Sequence, residues 1–167
     1  LRAPEMSDFD AWHAFTQGDR SRFVRPAETS LGISWRAFAH VVGMWALRGY
    51  GLFVFCDKET GAPLGSAGPW HPLDWPEAEI GWSVWAAEAE GKGYAFEAAS
   101  AARDHAFTTL GWDTAVSYID PENARSIALA ERLGATLDPS ATQPAEFDCL
   151  VYRHPAPDAD GSPEAYA

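Results

Sequence analysis

Basic residues are scarce in this chain of 167: 12 Lys plus Arg stand against 24 Asp plus Glu, a formal net charge of -12. Nucleic-acid phosphates are held by clustered cations, and no such cluster occurs, which excludes a nucleic-acid-binding surface. The surplus of acid either serves solubility or attracts a cationic partner. Cysteine is nearly missing. Cys56 and Cys149 sit in apolar, strand-like surroundings without CxxC spacing or clustered His, so they read as reduced structural thiols, and no metal site is expected. No apolar run reaches the roughly 18 to 20 residues that span a bilayer, and the first residues lack the basic and apolar regions of a secretory signal. These absences predict a cytoplasmic protein with no membrane partner. Leu1-Arg2-Ala3-Pro4 reads as the end of a strand, an expectation that residues precede it.

Hydrophobic residues make up 47% of the chain and eight are Trp, enough for the core of one ordinary domain. Ser7 is placed to cap a helix over residues 8–17, and Ser34 a second over 35–48, ended by Gly49. Residues 20–32 between them have no period and predict a loop. Residues 50–57 and 63–70, joined by the turn Lys58-Glu59-Thr60-Gly61, predict an antiparallel hairpin. A turn-rich loop over 71–76 leads to a strand at 78–85. The Ala-rich stretch 95–110 predicts a helix, with Glu97 in its first turn and Gly111 beyond its end. A strand over 113–119 follows, then Asp120 as N-cap, Pro121 at the first helical position, a helix over 122–133 and Gly134 as its stop. Residues 148–153 predict a last strand. The segment from His154 onward, rich in Pro and acid, predicts a disordered tail, leaving residues 1–154 as the domain. This order predicts an α/β (α+β) single domain with one central sheet and a ligand crevice near the strand-to-helix turns.

The turn Glu90-Gly91-Lys92-Gly93-Tyr94-Ala95 precedes the Ala-rich helix. Two glycines allow a tight turn with close approach of a ligand, and a helix N-terminus attracts anions. A dinucleotide fingerprint needs Gly where Phe96 stands, and a nucleotide P-loop needs Ser or Thr after Lys92. Both are disfavoured, and a plain tight turn competes as a reading of the segment alone.

With its neighbours the segment resembles the GNAT superfamily of N-acetyltransferases. Glu90, Gly93 and Ala95 occupy the first, fourth and sixth positions of its Gln/Arg-x-x-Gly-x-Gly/Ala signature. Asp120-Pro121-Glu122-Asn123-Ala124-Arg125-Ser126 and Ala130-Glu131-Arg132-Leu133-Gly134-Ala135 resemble its second half, and Glu79-Ile80-Gly81-Trp82 the strand before the turn. The Asn-x-x-Ser helix start is similar to the branch containing bacterial ribosomal-protein N-terminal acetyltransferases. The resemblance implies a mixed, mostly antiparallel sheet flanked by helices, with acetyl-CoA as co-substrate. By it, backbone groups of Ser83, Val84 and Trp85 line the pantetheine arm, Glu90, Gly91, Lys92, Gly93, Tyr94, Ala95 and Phe96 hold the pyrophosphate, and Asn123 meets the cofactor arm. It also implies an amine acceptor, a peptide N-terminus or a small molecule, and a monomer or homodimer. Two departures stand out: Glu90 puts an acid beside phosphates, and Ala130 stands where many members carry a Tyr acid.

Acyl transfer to an amine requires a proton acceptor, since an α-amine near pKa 7.8 needs about 1 kcal/mol to be neutral at pH 7 and a lysine-like amine about 4 to 5. Glu79 shares a strand face with Gly81 and Ser83 and is the candidate base, with Glu77 in reserve. His71 and Asp74 lie in the adjoining loop. Ser126, one turn beyond Asn123, is the candidate to meet the leaving thiolate. Trp70, Trp75, Trp82 and Trp85 read either as an acceptor wall or as core. The chemistry left open besides transfer is an acyl-CoA sensor that binds without turnover.

Overall fold

A computed structural model describes residues 1–24, 30–145 and 148–155. The elements run α1 (Phe9–Thr16), α2 (Leu31–Arg48), β1 (Phe53–Cys56), β2 (Pro63–Trp70), β3 (Glu79–Val84), α3 (Tyr94–Thr108), β4 (Val116–Ile119), α4 (Ala124–Arg132), β5 (Thr136–Leu137) and β6 (Leu150–Arg153). Short 3-10 turns lie at Met6–Asp8, Asp19–Ser21 and Ala87–Ala89.

The strands form one sheet in the order β1-β2-β3-β4-β6-β5. Every neighbouring pair is antiparallel except β3 and β4, which run parallel. Alternation within strands sends consecutive residues to opposite faces. Val54 and Trp85 thus pack on one face under Phe9, Trp12, Phe15, Phe38 and Val41 of α1 and α2. Phe55 and Ala67 pack on the other under Ala98 and Ala99 of α3, joined by Leu64 at the break in the β1–β2 register and by Leu133 beyond the end of α4. Ala98, Ala99, Ala102 and Ala106 are all at most 4% exposed. Small side chains there let the helix backbone lie close to the sheet. Farther along, Ile119 and Tyr152 pack against Ala130 of α4.

The expected fold class holds, with local corrections. The cap expected of Ser7 falls to Asp8, whose Oδ2 accepts from Glu5 N–H while Arg2 grips both its oxygens at 2.7 Å. Helix α2 begins at Leu31, so Ser34 is interior and shares a 3.0 Å hydrogen bond with Thr16. The expected loop over 20–32 is shortened accordingly. Asp120 forms a turn with Glu122 N–H, and Asn123 is the N-cap of α4. Strand β5 was not foreseen, because two exposed residues carry no pattern. His154, expected in the tail, is 3% exposed, and its N–H donates to Ala115 O. The rest of the expected tail, 156–167, lies outside the described residues.

Candidate active site

The sheet opens where β3 and β4 meet. Their ladder holds a single residue pair, Glu79 with Val116, against six pairs between β2 and β3. Val116 N–H donates to Ala78 O at 2.9 Å, and one step on the Ser117 hydroxyl reaches across to Ile80 O at 2.7 Å. Carbonyls of alternate strand residues point the same way, so those of Trp82 and Val84 are turned toward β4 beyond the last bond. A gap edged by strand backbone results. Among the residues expected along it, Ser83 turns its hydroxyl into a buried cluster with Ser66 (2.9 Å) and Trp85 Nε1 (3.0 Å). Trp85 places its ring against Trp12, with centroids 5.6 Å apart, and its N–H on Leu64 O. Of the three, Val84 is the one whose backbone carbonyl faces the gap.

The chain leaves β3, makes the turn at Ala87–Ala89 and enters the glycine segment. Gly91 and Gly93 have φ of 70° and 84°, the left-handed region that disfavours side chains. No atom lies within 4 Å of where a Cβ would stand on either. Gly93 is the N-cap of α3, a helix of 15 residues whose first N–H groups have no intrahelical acceptor. The segment offers unobstructed donors backed by the helix dipole. Lys92 is exposed, Tyr94 and Ala95 are half-buried, and the half-buried Phe96 ring lies 4.0 Å below the Arg132 guanidinium.

Across the gap, Asn123 Oδ1 accepts from Ser126 N–H at 3.2 Å, the capping bond of α4. That oxygen is committed, which leaves the Asn123 amide NH2 to meet a ligand. Trp82 Nε1 donates to Ser126 Oγ at 3.2 Å, so the hydroxyl keeps its proton for another acceptor. Ala130, in the position of the missing Tyr, is fully buried.

Glu79 stands at the closed end of the gap, on the face away from α3. Burial drives its carboxyl up to about 7, against hydrogen bonds from the Trp75 indole (2.5 Å) and the Tyr118 backbone that favour the carboxylate. Trp75 meets the Tyr118 ring edge-on at 6.1 Å, and burial pushes the Tyr118 phenol up to about 12. Glu77, the reserve base, is engaged elsewhere: Arg153 grips its two oxygens at 2.8 and 2.9 Å. Arg153 also donates to Asp138 and Thr114. His71 is half-buried and Asp74 exposed in their loop. Trp70 lies 5.1 Å from His40. Both cysteines are free. Among the described residues no cluster of His, Cys, Asp or Glu suits a metal, and no helix is long and apolar enough to cross a membrane.

The sequence reading missed three groups. Tyr118 lines Glu79 from β4, which no motif announces. Glu90 is bracketed by Arg20, at 2.7 Å, and Arg125, at 2.8 Å, across 70 and 35 positions of chain. Ser117, which ties β4 to Ile80, is itself held by His154 Nε2 at 3.0 Å. Burial, then the charge of Arg103, lowers His154 to about 3 and keeps it neutral. The Ser117 proton goes to Ile80 O, so His154 Nε2 carries the hydrogen of their bond.

The family model for the acetyltransferase (GNAT) domain matches residues 1–136. An acetyltransferase from Agrobacterium tumefaciens is 42% identical in sequence, with a TM-score of 0.85 over 92% of this chain and 88% of that one. The uncharacterized protein YkkB of Bacillus subtilis is 38% identical over 91 residues, 52% of this chain and 52% of that protein, so the chain spans about half the length of the curated relative it matches. Two solved structures below 20% identity share the fold alone. A ribosomal-protein-S5-alanine acetyltransferase from Vibrio fischeri matches at 18% identity and TM-score 0.69, over 94% of this chain and 92% of that one. A spermidine N-acetyltransferase from Vibrio cholerae, in complex with CoA and spermine, matches at 19% and 0.69, over 91% and 90%.

Proposed function

The chain belongs to the acetyltransferase (GNAT) domain family, and from that premise we propose that it moves an acetyl group from acetyl-CoA to a primary amine by direct attack in a ternary complex. The observation that carries this reading is a strand gap with a glycine-built anion turn leading from one end and a carboxyl poised near 7 at the other. The parts fit a phosphorylated ligand with a slender arm. Residues 90–96 would receive the pyrophosphate, the β3 edge at Val84 the arm, and the Asn123 amide the far side of that arm. Acetyl-CoA supplies an activated acyl group on sulfur.

Glu79 takes the amine proton, directly or through water, as nitrogen forms its bond to the acyl carbon; a base near 7 is half ionised at neutral pH and still a competent acceptor. Ser126, fixed by Trp82, points its hydroxyl proton to the sulfur as the carbon–sulfur bond breaks. A thiol near pKa 8.5 needs little acid help, which makes the absence of a Tyr at Ala130 tolerable. The sulfur leaves as a thiolate that takes its proton from solvent while Glu79 returns its own, so the products are an acetamide and the free thiol.

The acceptor is a protein N-terminal α-amine or a small amine, and the fold does not discriminate, because both kinds of acetyltransferase share it. We assign the protein to the cytoplasm, as a monomer or homodimer. Calorimetric titration with acetyl-CoA, followed by thiol release across a panel of peptides and polyamines, tests the reading. Absence of binding at millimolar cofactor would sink it. Buried Ala130 favours a second reading, an acyl-CoA sensor with weak catalysis; binding without thiol release on any acceptor would establish that instead.

A further inference from the structure

The Glu90 carboxylate joins three parts of the chain that share no secondary structure. Arg20, in the 3-10 turn before α2, reaches Oε1 with Nη1 at 3.0 Å and Nη2 at 2.7 Å, and Arg125, the second residue of α4, reaches Oε2 with Nη1 at 2.8 Å. Each carboxylate oxygen is therefore capped by a different guanidinium. The junction sits directly before Gly91, at the mouth of the anion turn.

Several observations argue against a purely structural role. The Arg125 side chain is 82% exposed and that of Glu90 36%, and exposed pairs contribute little to stability. Arg20 Nε is enclosed and has no hydrogen-bond partner among the described residues, so one directed N–H of the guanidinium is still to be matched. The chain has twice as many acids as bases, yet two arginines converge on one acid at this place. The Glu90 carboxylate sets an anion between the two guanidiniums directly before the α3 N-terminus, a place that also attracts a phosphate. Guanidinium forks bind phosphate in two-pronged fashion and prefer its denser charge.

We propose that Arg20 and Arg125 are phosphate-binding side chains of the coenzyme A site, and that Glu90 is an internal anion competing with the cofactor phosphates for both of them. This rests on the coenzyme A reading above. Glu90 thus lowers affinity for the cofactor while keeping the two cations in register, and the acid that departs from the family signature has a defined task. Phosphate arrival displaces Glu90 into solvent and leaves the turn, α4 and the segment before α2 joined through the ligand.

Calorimetry with coenzyme A and with pantetheine, which has no phosphate, tests this. In E90Q the dissociation constant for coenzyme A should fall about tenfold, with a steeper loss of affinity on adding salt, because one competing charge has gone. R20A and R125A should each weaken coenzyme A about tenfold, and E90Q should bring no gain in the R20A/R125A background. Pantetheine should bind all variants alike. Unchanged or weaker coenzyme A binding in E90Q, with wild type binding normally, overturns the proposal. Failure of wild type to bind coenzyme A at all overturns the underlying assignment instead.

Discussion

The two ends of the strand gap are made of different material. At the glycine end the groups on offer are main-chain N–H donors, arranged by two left-handed glycines and a helix start. At the Glu79 end they are side chains whose protonation is set by burial and by Trp75 and Tyr118. Backbone geometry withstands changes of side chain but not a Cβ in the wrong place. Side-chain chemistry withstands small shifts of backbone but not loss of a titrating group. Cofactor affinity and turnover should therefore separate by mutation.

The largest effect should come from Glu79→Gln: turnover falls about a hundredfold or more while the acetyl-CoA dissociation constant stays put. Wild-type kcat/KM should climb as pH rises through 7 and the variant should show no such step; equal turnover, or equal pH profiles, would break the distinction between the ends. Gly93→Ala should do the reverse. A left-handed φ costs a non-glycine residue about 1–2 kcal/mol, which predicts roughly tenfold weaker cofactor binding, read by calorimetry, with turnover at saturation nearly kept. Ser126→Ala should lower turnover by less than about tenfold, since a thiolate leaves with modest help. Trp75→Phe removes a hydrogen bond that favours ionised Glu79. Its kinetic midpoint should move to higher pH, measured from kcat/KM between pH 5 and 9.

The subtlest prediction concerns stability. Glu79 is raised from 4.5 to about 7, so between those values the native protein holds a proton that the unfolded chain releases, and stability falls as pH rises. His154 is lowered from 6.5 to about 3, so between those values the unfolded chain takes a proton that the native protein refuses, and stability rises with pH. From 4.5 to 6.5 the two slopes oppose. Urea midpoints of Glu79→Gln should therefore climb with pH across that window more steeply than those of wild type.

Much of the fold was legible because Gly, Pro and Ala punctuate the helices, and because strand residues alternate between faces. Helix starts were less legible. Ser7, Ser34 and Asp120 are good caps by type, yet Asp8, Ser30 and Asn123 occupy those places, because tertiary partners such as Arg2 and Thr16 decide which polar residue is used. The glycine turn could be read from seven consecutive residues. The environment of Glu79 could not, since Trp75, Tyr118 and Glu79 meet only once a parallel strand has been laid alongside. Arg20 and Arg125 were invisible for the same reason: no local pattern announces a pair of cations 105 positions apart in sequence that converge on one carboxylate.

The Ser117 bridge carries a consequence for the order of events during synthesis. Its hydroxyl is oriented by His154, which follows the last strand, while the carbonyl it grips belongs to Ile80 near the middle of the chain. A ribosome adds some 5–20 residues each second, so Ile80 emerges several seconds before its clasp can be fastened. Until then β3 and β4 are joined by the Val116–Ala78 bond without the His154-oriented clasp beyond it. The hairpin strands and both early helices precede Ile80 or lie close to it in the chain, whereas the orientation of the Ser117 clasp waits for His154.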